Sequence, residues 1–274
     1  MVFHFNIQVV MFVYELYGQY ICNMKKLDNN KQLIKDIEIL LTSVFHIYPA
    51  LLYPIKGGWS ALAYFVENRS GEKFLLKIYD KARSSTAKLT ADIECYMPIV
   101  DWLYSNTQLH NRIVNPVRTE NGKYKYENSN YAFLLFRYID GSTITEGDFS
   151  DEQVIQLANI LAELHSYGAN IPLDTQSVME TYDIGFCSSL EKIMQQANSL
   201  KKELSNLLSK YSDKLENAIN ELELLAIEVK EFHPQYLLCH TDIHEGNILQ
   251  TEDGIVLIDW ENLKLAPADA DFFH

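Results

Sequence analysis

Between Lys31 and Phe45, apolar residues recur at 33, 34, 37, 40, 41, 44 and 45, a spacing of three and four that predicts an amphipathic helix. The period then shortens to two. β-rich runs at 61–67 and 73–79 flank Asn68-Arg69-Ser70-Gly71, which reads as a hairpin turn. Gly57 and Gly58 open the first of these strands, and Lys77 lies inside the second. Helical spacing returns over 86–105, where Pro98 is predicted to kink or restart the helix because it has no N–H to donate. The segment 113–140 holds a turn at Asn121-Gly122-Lys123 and then the apolar run YAFLLFRYI, a second hairpin that would complete a small antiparallel sheet. Ser150 reads as the N-cap of a helix with Asp151, Glu152 and Gln153 in its first turn, an apolar face at 154, 157, 158, 161 and 164, and Gly168 as its stop. Residues 188–232 are polar and helical, and one compact β unit occupies 235–259. The order predicts two lobes with a cleft between them: an extension over 1–30, a β-rich lobe over 31–140, and a helical lobe over 141–274.

Charge and cysteine usage narrow the function classes. A net charge of −14 over 274 residues argues against a general nucleic-acid binder, which needs a basic face. It suits a cationic small substrate and serves solubility equally well. The cysteines at 22, 95, 187 and 239 form no C-x-x-C, which argues against a disulfide framework and fits a reducing cytoplasm. The first 22 residues are apolar and aromatic but lack a basic start, and Asn6, Gln8, Glu15 and Gln19 interrupt any membrane span. A second start at Met24 marks residues 1–23 as a dispensable extension or an over-extended start.

The densest chemistry is His240-Thr-Asp-Ile-His-Glu-Gly-Asn247, between the apolar runs YLLC and IL. Three readings compete. His240 and His244 at i, i+4 have zinc-ligand spacing only on a helix, and Asp242 with Gly246 favours a loop. A polar turn without chemistry is the second. The third follows from strand pairing: if Gln250 pairs with Ile255 across the turn Thr251-Glu-Asp-Gly254, Asn247 falls opposite Ile258 and Asp259 comes one step beyond. Asn247 and Asp259 can then offer oxygens to one Mg²⁺, while Asp242 orients a hydroxyl and accepts its proton during phosphoryl transfer. An upstream glycine turn and strand lysine in this order favour the third reading. His240 is read as structural, bonding loop backbone, and His244 as facing either substrate or solvent.

HTDIHEGNIL…IVLIDWEN resembles the aminoglycoside phosphotransferase and choline kinase family, relatives of protein kinases, and the string through IDWENLKLAPADADF looks most like its spectinomycin phosphotransferase branch. The resemblance covers 31–274, with its specific motifs in the last forty residues. It implies an α+β, protein-kinase-like two-lobe fold that binds ATP (or GTP) and Mg²⁺ and phosphorylates a small molecule, without nucleic-acid or membrane partners. Asp242 would be the catalytic base, and Asn247 and Asp259 the metal ligands. Gly57, Gly58 and Ser60 would cover the phosphates, and Lys77 would neutralise them, paired with a helix carboxylate, Glu94 first and Asp92 second. Phe136, Arg137 and Tyr138 would form the hinge against adenine. His165 and Asp271 would support the loop, and Glu261 would meet a cationic substrate at the cleft edge. The best single acceptor is an aminoglycoside or aminocyclitol antibiotic, with choline, amino-sugar and homoserine-type substrates fitting the same machinery. Two departures stand out: Ala61 and Leu62 occupy the place where many relatives carry asparagine, and the chain stops at ADADFFH where relatives continue with several helices. That stop implies a helical lobe truncated on its substrate side. A catalytically impaired nucleotide-binding module is therefore the second expectation.

Overall fold

A computed structural model describes residues 31–56, 60–144, 149–232 and 235–272. Helix α1 (Lys31–Val44) buries Leu33, Ile37, Leu40 and Leu41, the stripe its spacing marks. It covers one face of an antiparallel sheet built from β1 (Pro49–Ile55), β2 (Leu62–Asn68), β3 (Lys73–Asp80), β4 (Pro116–Val117), β5 (Lys125–Glu127) and β6 (Tyr131–Arg137). The strand order is β1-β2-β3-β6-β4, with β5 also on β6. The hydrophobic pattern does not predict β1, because Pro49 and Pro54 interrupt it. Its edge position tolerates both prolines, since an edge strand need not donate every N–H.

Alternation divides this sheet. Phe74, Leu76 and Ile78 of β3, with Phe133 and Leu135 of β6, join the α1 stripe in one buried cluster. Leu75 and Tyr79 turn the other way, with Ala132, Leu134 and Phe136. A period of two therefore places Lys77, opposite Leu134, on the face away from α1. Helices α2 (Thr86–Ala91) and α3 (Ile93–Asn106) follow β3. The break between them falls at Asp92, whose C=O accepts from both Cys95 and Tyr96, and not at Pro98 as predicted. Pro98 inside α3 forfeits one bond to the Glu94 carbonyl. The buried face of Ile93, Tyr96, Met97, Ile99, Val100 and Leu103 outweighs that loss.

The second buried cluster continues from α3 into the later elements. Strand β7 (Ser142–Thr143) pairs with β9 (Ile248–Thr251), which pairs with β10 (Gly254–Leu257). Helix α4 (Asp151–Leu164) starts at a full capping box on Ser150 and Gln153, and it packs on β10 and β8 (Leu237–Cys239). Its buried face is Ile160, Leu161 and Leu164, while Val154 and Ala158 are exposed, against expectation. The reason is polar: Gln153 donates to Gln250 Oε1 at 2.7 Å, and Gln156 Oε1 accepts from Ile255 N at 2.9 Å. Glutamines thus hold the first turns to the hairpin, where an apolar stripe was expected. Strand β8 pairs with β11 (Lys264–Ala266), a strand the pattern does not predict, and not with the hairpin. Helices α5 (Gly185–Gln195) and α6 (Lys202–Phe232) bury little beyond Cys187 and Ile219. Among the described residues, no helix is long and apolar enough to cross a membrane.

Gly254 closes the β9–β10 turn at φ 116°, and a Cβ there would run into Arg112 Nη1 and Gln156 Oε1. Gly254→Ala should lower stability by about 1–3 kcal/mol through left-handed strain and the displaced Gln156 bond. A urea midpoint equal to the parent's would contradict this account of the turn.

Candidate active site

The hairpin pairs Gln250 with Ile255, and just past the strands Ile258 N–H donates to the Asn247 carbonyl at 2.9 Å. Asp259 follows in the left-handed region, at φ 65° and ψ 61°, which turns its side chain off the strand direction. Asn247 is buried, and its Nδ2 donates to the Asp242 carbonyl at 2.8 Å and to Asp242 Oδ2 at 3.1 Å. The amide nitrogen thus clamps the loop, leaving Oδ1 as the side chain's remaining donor to a cation. Both oxygens of Asp259 and this Oδ1 are hard donors without sulfur or imidazole among them, a set that fits Mg²⁺.

A second carboxylate fixes the loop from beneath. Asp271 Oδ1 accepts from Thr241 N at 2.6 Å, while Oδ2 accepts from His240 N at 3.2 Å and lies 2.8 Å from His165 Nε2. Thr241 also sits at positive φ (64°), so the backbone turns sharply where Asp271 holds it. His240 is fully buried, with Nε2 2.9 Å from the Ile258 carbonyl and its ring edge-on to Trp260. Burial lowers its pKa against the pull of that carbonyl, so the ring is neutral at neutral pH and donates from Nε2. His244 Nδ1 accepts from Gly246 N at 3.1 Å, and its Nε2 stands 3.9 Å from Asp242 Oδ1. Residues 240–244 form no helix, so the zinc reading, which needs the i, i+4 spacing on a helix, is set aside. Among the described residues, His165, Cys239 and Asp271 do lie close enough to share an ion. There both Asp271 oxygens already accept hydrogen bonds from the loop.

Lys77 reaches this group from β3. Its Nζ lies 2.7 Å from Asp259 Oδ1 and 3.2 Å from Glu261 Oε1, and Tyr79, two positions along the same strand face, donates its hydroxyl to Glu261. Burial alone would lower the Lys77 pKa, but Glu261 and Asp259 outweigh it and hold the ammonium above its ordinary range. Burial also opposes the Asp259 charge, yet Lys77 keeps that carboxyl below the usual range. Glu261 goes the other way: burial, with the neighbouring Asp259 charge, raises it despite Lys77.

Several expected placements change. Glu94 does not meet Lys77; its Oε1 accepts from Tyr124 N at 3.1 Å and Lys125 N at 2.8 Å, tying α3 to β5. Asp92 is exposed at the helix break. Glu261 is not a rim residue open to substrate, because its side chain is only 12% exposed and faces Lys77 and Tyr79. Of the three hinge residues, Phe136 faces the site, with Lys77 Nζ 5.9 Å from its ring centroid. The N–H groups of Arg137 and Tyr138 already donate to Asn115 and Lys73, so neither is free to donate to a base. The Arg137 guanidinium pairs with Glu72 at 2.7 Å. Ser60 is half-buried, with its carbonyl accepting from Arg83, while Gly57 and Gly58 lie outside the described residues. Tyr79 was not singled out from sequence, although its position two residues after Lys77 puts it on the same face.

The profile described as the phosphotransferase enzyme family matches residues 52–274. The chain belongs to that family. Among curated proteins, a sequence comparison finds no match. Among solved structures, this phosphotransferase is similar to a spectinomycin phosphotransferase in complex with ADP and spectinomycin, at TM-score 0.60 and 22% identity, covering 86% of this chain and 71% of that one. It is also similar to a microcompartment-associated aminopropanol kinase, at TM-score 0.55 and 17% identity over 87% and 72% of the two chains. An amicoumacin kinase in complex with AMP-PNP and Ca²⁺ follows, at TM-score 0.53 and 15% identity over 91% and 69%. At such identities the likeness is one of fold, the kinase-like α+β class that the sequence predicts.

The Asp271 carboxyl is wholly enclosed and accepts from two loop N–H groups. Asp271→Asn should cost the phosphotransferase about 1.5–3 kcal/mol, because an amide can replace only part of that acceptance. Equal urea midpoints for variant and parent would refute the anchoring role.

Proposed function

We propose that this phosphotransferase transfers the γ-phosphoryl group of ATP to a hydroxyl of a small cationic molecule, with Asp242 as the base. The observation that carries the reading is a pair of contacts: Asn247 clamps Asp242 within the loop, and Lys77 of β3 meets Asp259 just past the hairpin. In this scheme Asp242 accepts the acceptor's proton as the oxygen attacks phosphorus, and the Asn247 amide holds that carboxylate in place. Since the transition state is loose, position matters more than base strength. Asn247 and Asp259 would hold Mg²⁺, which supplies charge neutralisation on the phosphate oxygens. Lys77 adds a fixed ammonium on the same side. His165 and Asp271 hold the loop without touching substrate, and His244 is exposed beside Asp242.

For the acceptor, an aminocyclitol or aminoglycoside antibiotic is the leading choice, with resistance as the consequence and the cytoplasm, where ATP is supplied, as the place of action. The net charge of −14 and the likeness in fold to a spectinomycin phosphotransferase support it. The likeness to an aminopropanol kinase supports small amino alcohols as the second class. An ATP-consumption screen against spectinomycin, aminoglycosides, aminopropanol, ethanolamine and choline separates the two, with Asp242→Asn as the blank. That variant should retain nucleotide binding while turnover falls by about 10²–10⁴-fold. Turnover equal to the parent's would sink the base assignment. In the same series Asp259→Ala should weaken Mg²⁺-dependent ADP binding, and an unchanged affinity at saturating Mg²⁺ would refute its place as a ligand.

A further inference from the structure

Lys77 needs a partner that stays with it. Its ammonium has three N–H donors, and two of its neighbours are the carboxylates of Asp259 and Glu261. In the function proposed above, Asp259 is shared with the metal, which weakens its hold on the lysine. Glu261 is not shared. It emerges from the short turn Trp260–Asn262 directly after Asp259, and Trp260 fixes that turn by burying its ring and donating to the Leu257 carbonyl at 3.0 Å. The same oxygen, Glu261 Oε1, also accepts the Tyr79 hydroxyl, from the strand that carries Lys77. Strand β3 thus gives two donors, and one carboxylate bridges them.

The helix position where a partner was expected is filled otherwise. Glu94 is committed to the backbone of Tyr124 and Lys125. Two residues on, Tyr96 buries its ring at 2% exposure, and the Glu261 charge, after burial itself, is the largest influence on its phenol. Helix α3 therefore presents a neutral tyrosine to the cluster and no charge.

We infer that Glu261, held by Tyr79, is the residue that positions the phosphate lysine Lys77, a task that the family resemblance assigns to a carboxylate on α3. This rests on the reading of Lys77 as a nucleotide contact, and it goes further by naming what keeps the ammonium in place once Asp259 is engaged.

Two measurements on the full chain test it. The first is the rate at which trinitrobenzenesulfonate labels Lys77 in nucleotide-free protein, followed by peptide mass spectrometry. The second is the Kd for ADP with Mg²⁺. Glu261→Gln should speed labelling several-fold and weaken ADP by about tenfold, the scale of one charge-assisted contact. Tyr79→Phe keeps the carboxylate but frees it, and should weaken ADP by about threefold. Glu94→Gln should change neither reading, while lowering the urea midpoint through its lost backbone contacts. Parent-like labelling and affinity in Glu261→Gln overturn the inference, as does an effect found in Glu94→Gln instead. Should Glu261→Gln not fold, parent-like behaviour of Tyr79→Phe in both measurements overturns it as well. The labelling arm needs no nucleotide, so a parent protein that binds no ADP would defeat the proposed function while the positioning of Lys77 is still decided.

Discussion

Lys77 and Asp259 are 182 positions apart in the chain, and their side chains meet at 2.7 Å. That contact ties the sheet to the hairpin, and the arrangement on either side serves it. On the sheet, α1 occupies one face so completely that the alternate residues Leu75, Lys77 and Tyr79 must turn to the other. On the hairpin, strand pairing brings Asn247 beside Ile258, and a left-handed Asp259 then swings its carboxylate out to the lysine. Burying an ion pair costs desolvation that attraction repays only with good geometry, so such a pair is a weak source of stability. Its retention in place of apolar packing is better explained by the chemistry proposed for it.

The electrostatic state of the group supports that view. Two carboxylates face one ammonium, and the imbalance shows in opposite directions: Asp259 is held below its ordinary range while Glu261 is driven above it. Tyr79 and Tyr96 add neutral hydroxyls whose ionisation is suppressed, first by burial and then by the Glu261 charge. The cluster is short of positive charge, which is the condition under which a divalent cation is welcome.

The parts legible from sequence were those set by local chemistry. The D-x-x-x-x-N spacing, the hairpin register and the Ser150 capping box each depend on a few adjacent residues, and each is found where the spacing puts it. What could not be read depended on rotation. With the helix break at Asp92 and Pro98 absorbed inside α3, Glu94 turns toward β5 and Tyr96 toward the lysine. Glu261, expected at the cleft edge, instead faces Lys77 and Tyr79. It follows a left-handed Asp259, and aspartate carries no sequence mark for that turn. The α4 face was misjudged because glutamines, bonded to the hairpin, occupy positions where an apolar stripe was expected.

Asp271 carries a consequence for the order in which the molecule assembles. The backbone of His240 and Thr241 takes its shape from a carboxylate some thirty positions further on. Contacts made across such a separation form late, because the intervening chain must first be ordered. A nascent chain emerges from the ribosome N-terminus first, so the sheet and its lysine can be in place while the loop still awaits Asp271. The half that would grip the nucleotide can be built first, and the half that would direct the transfer is completed only once Asp271 has been made.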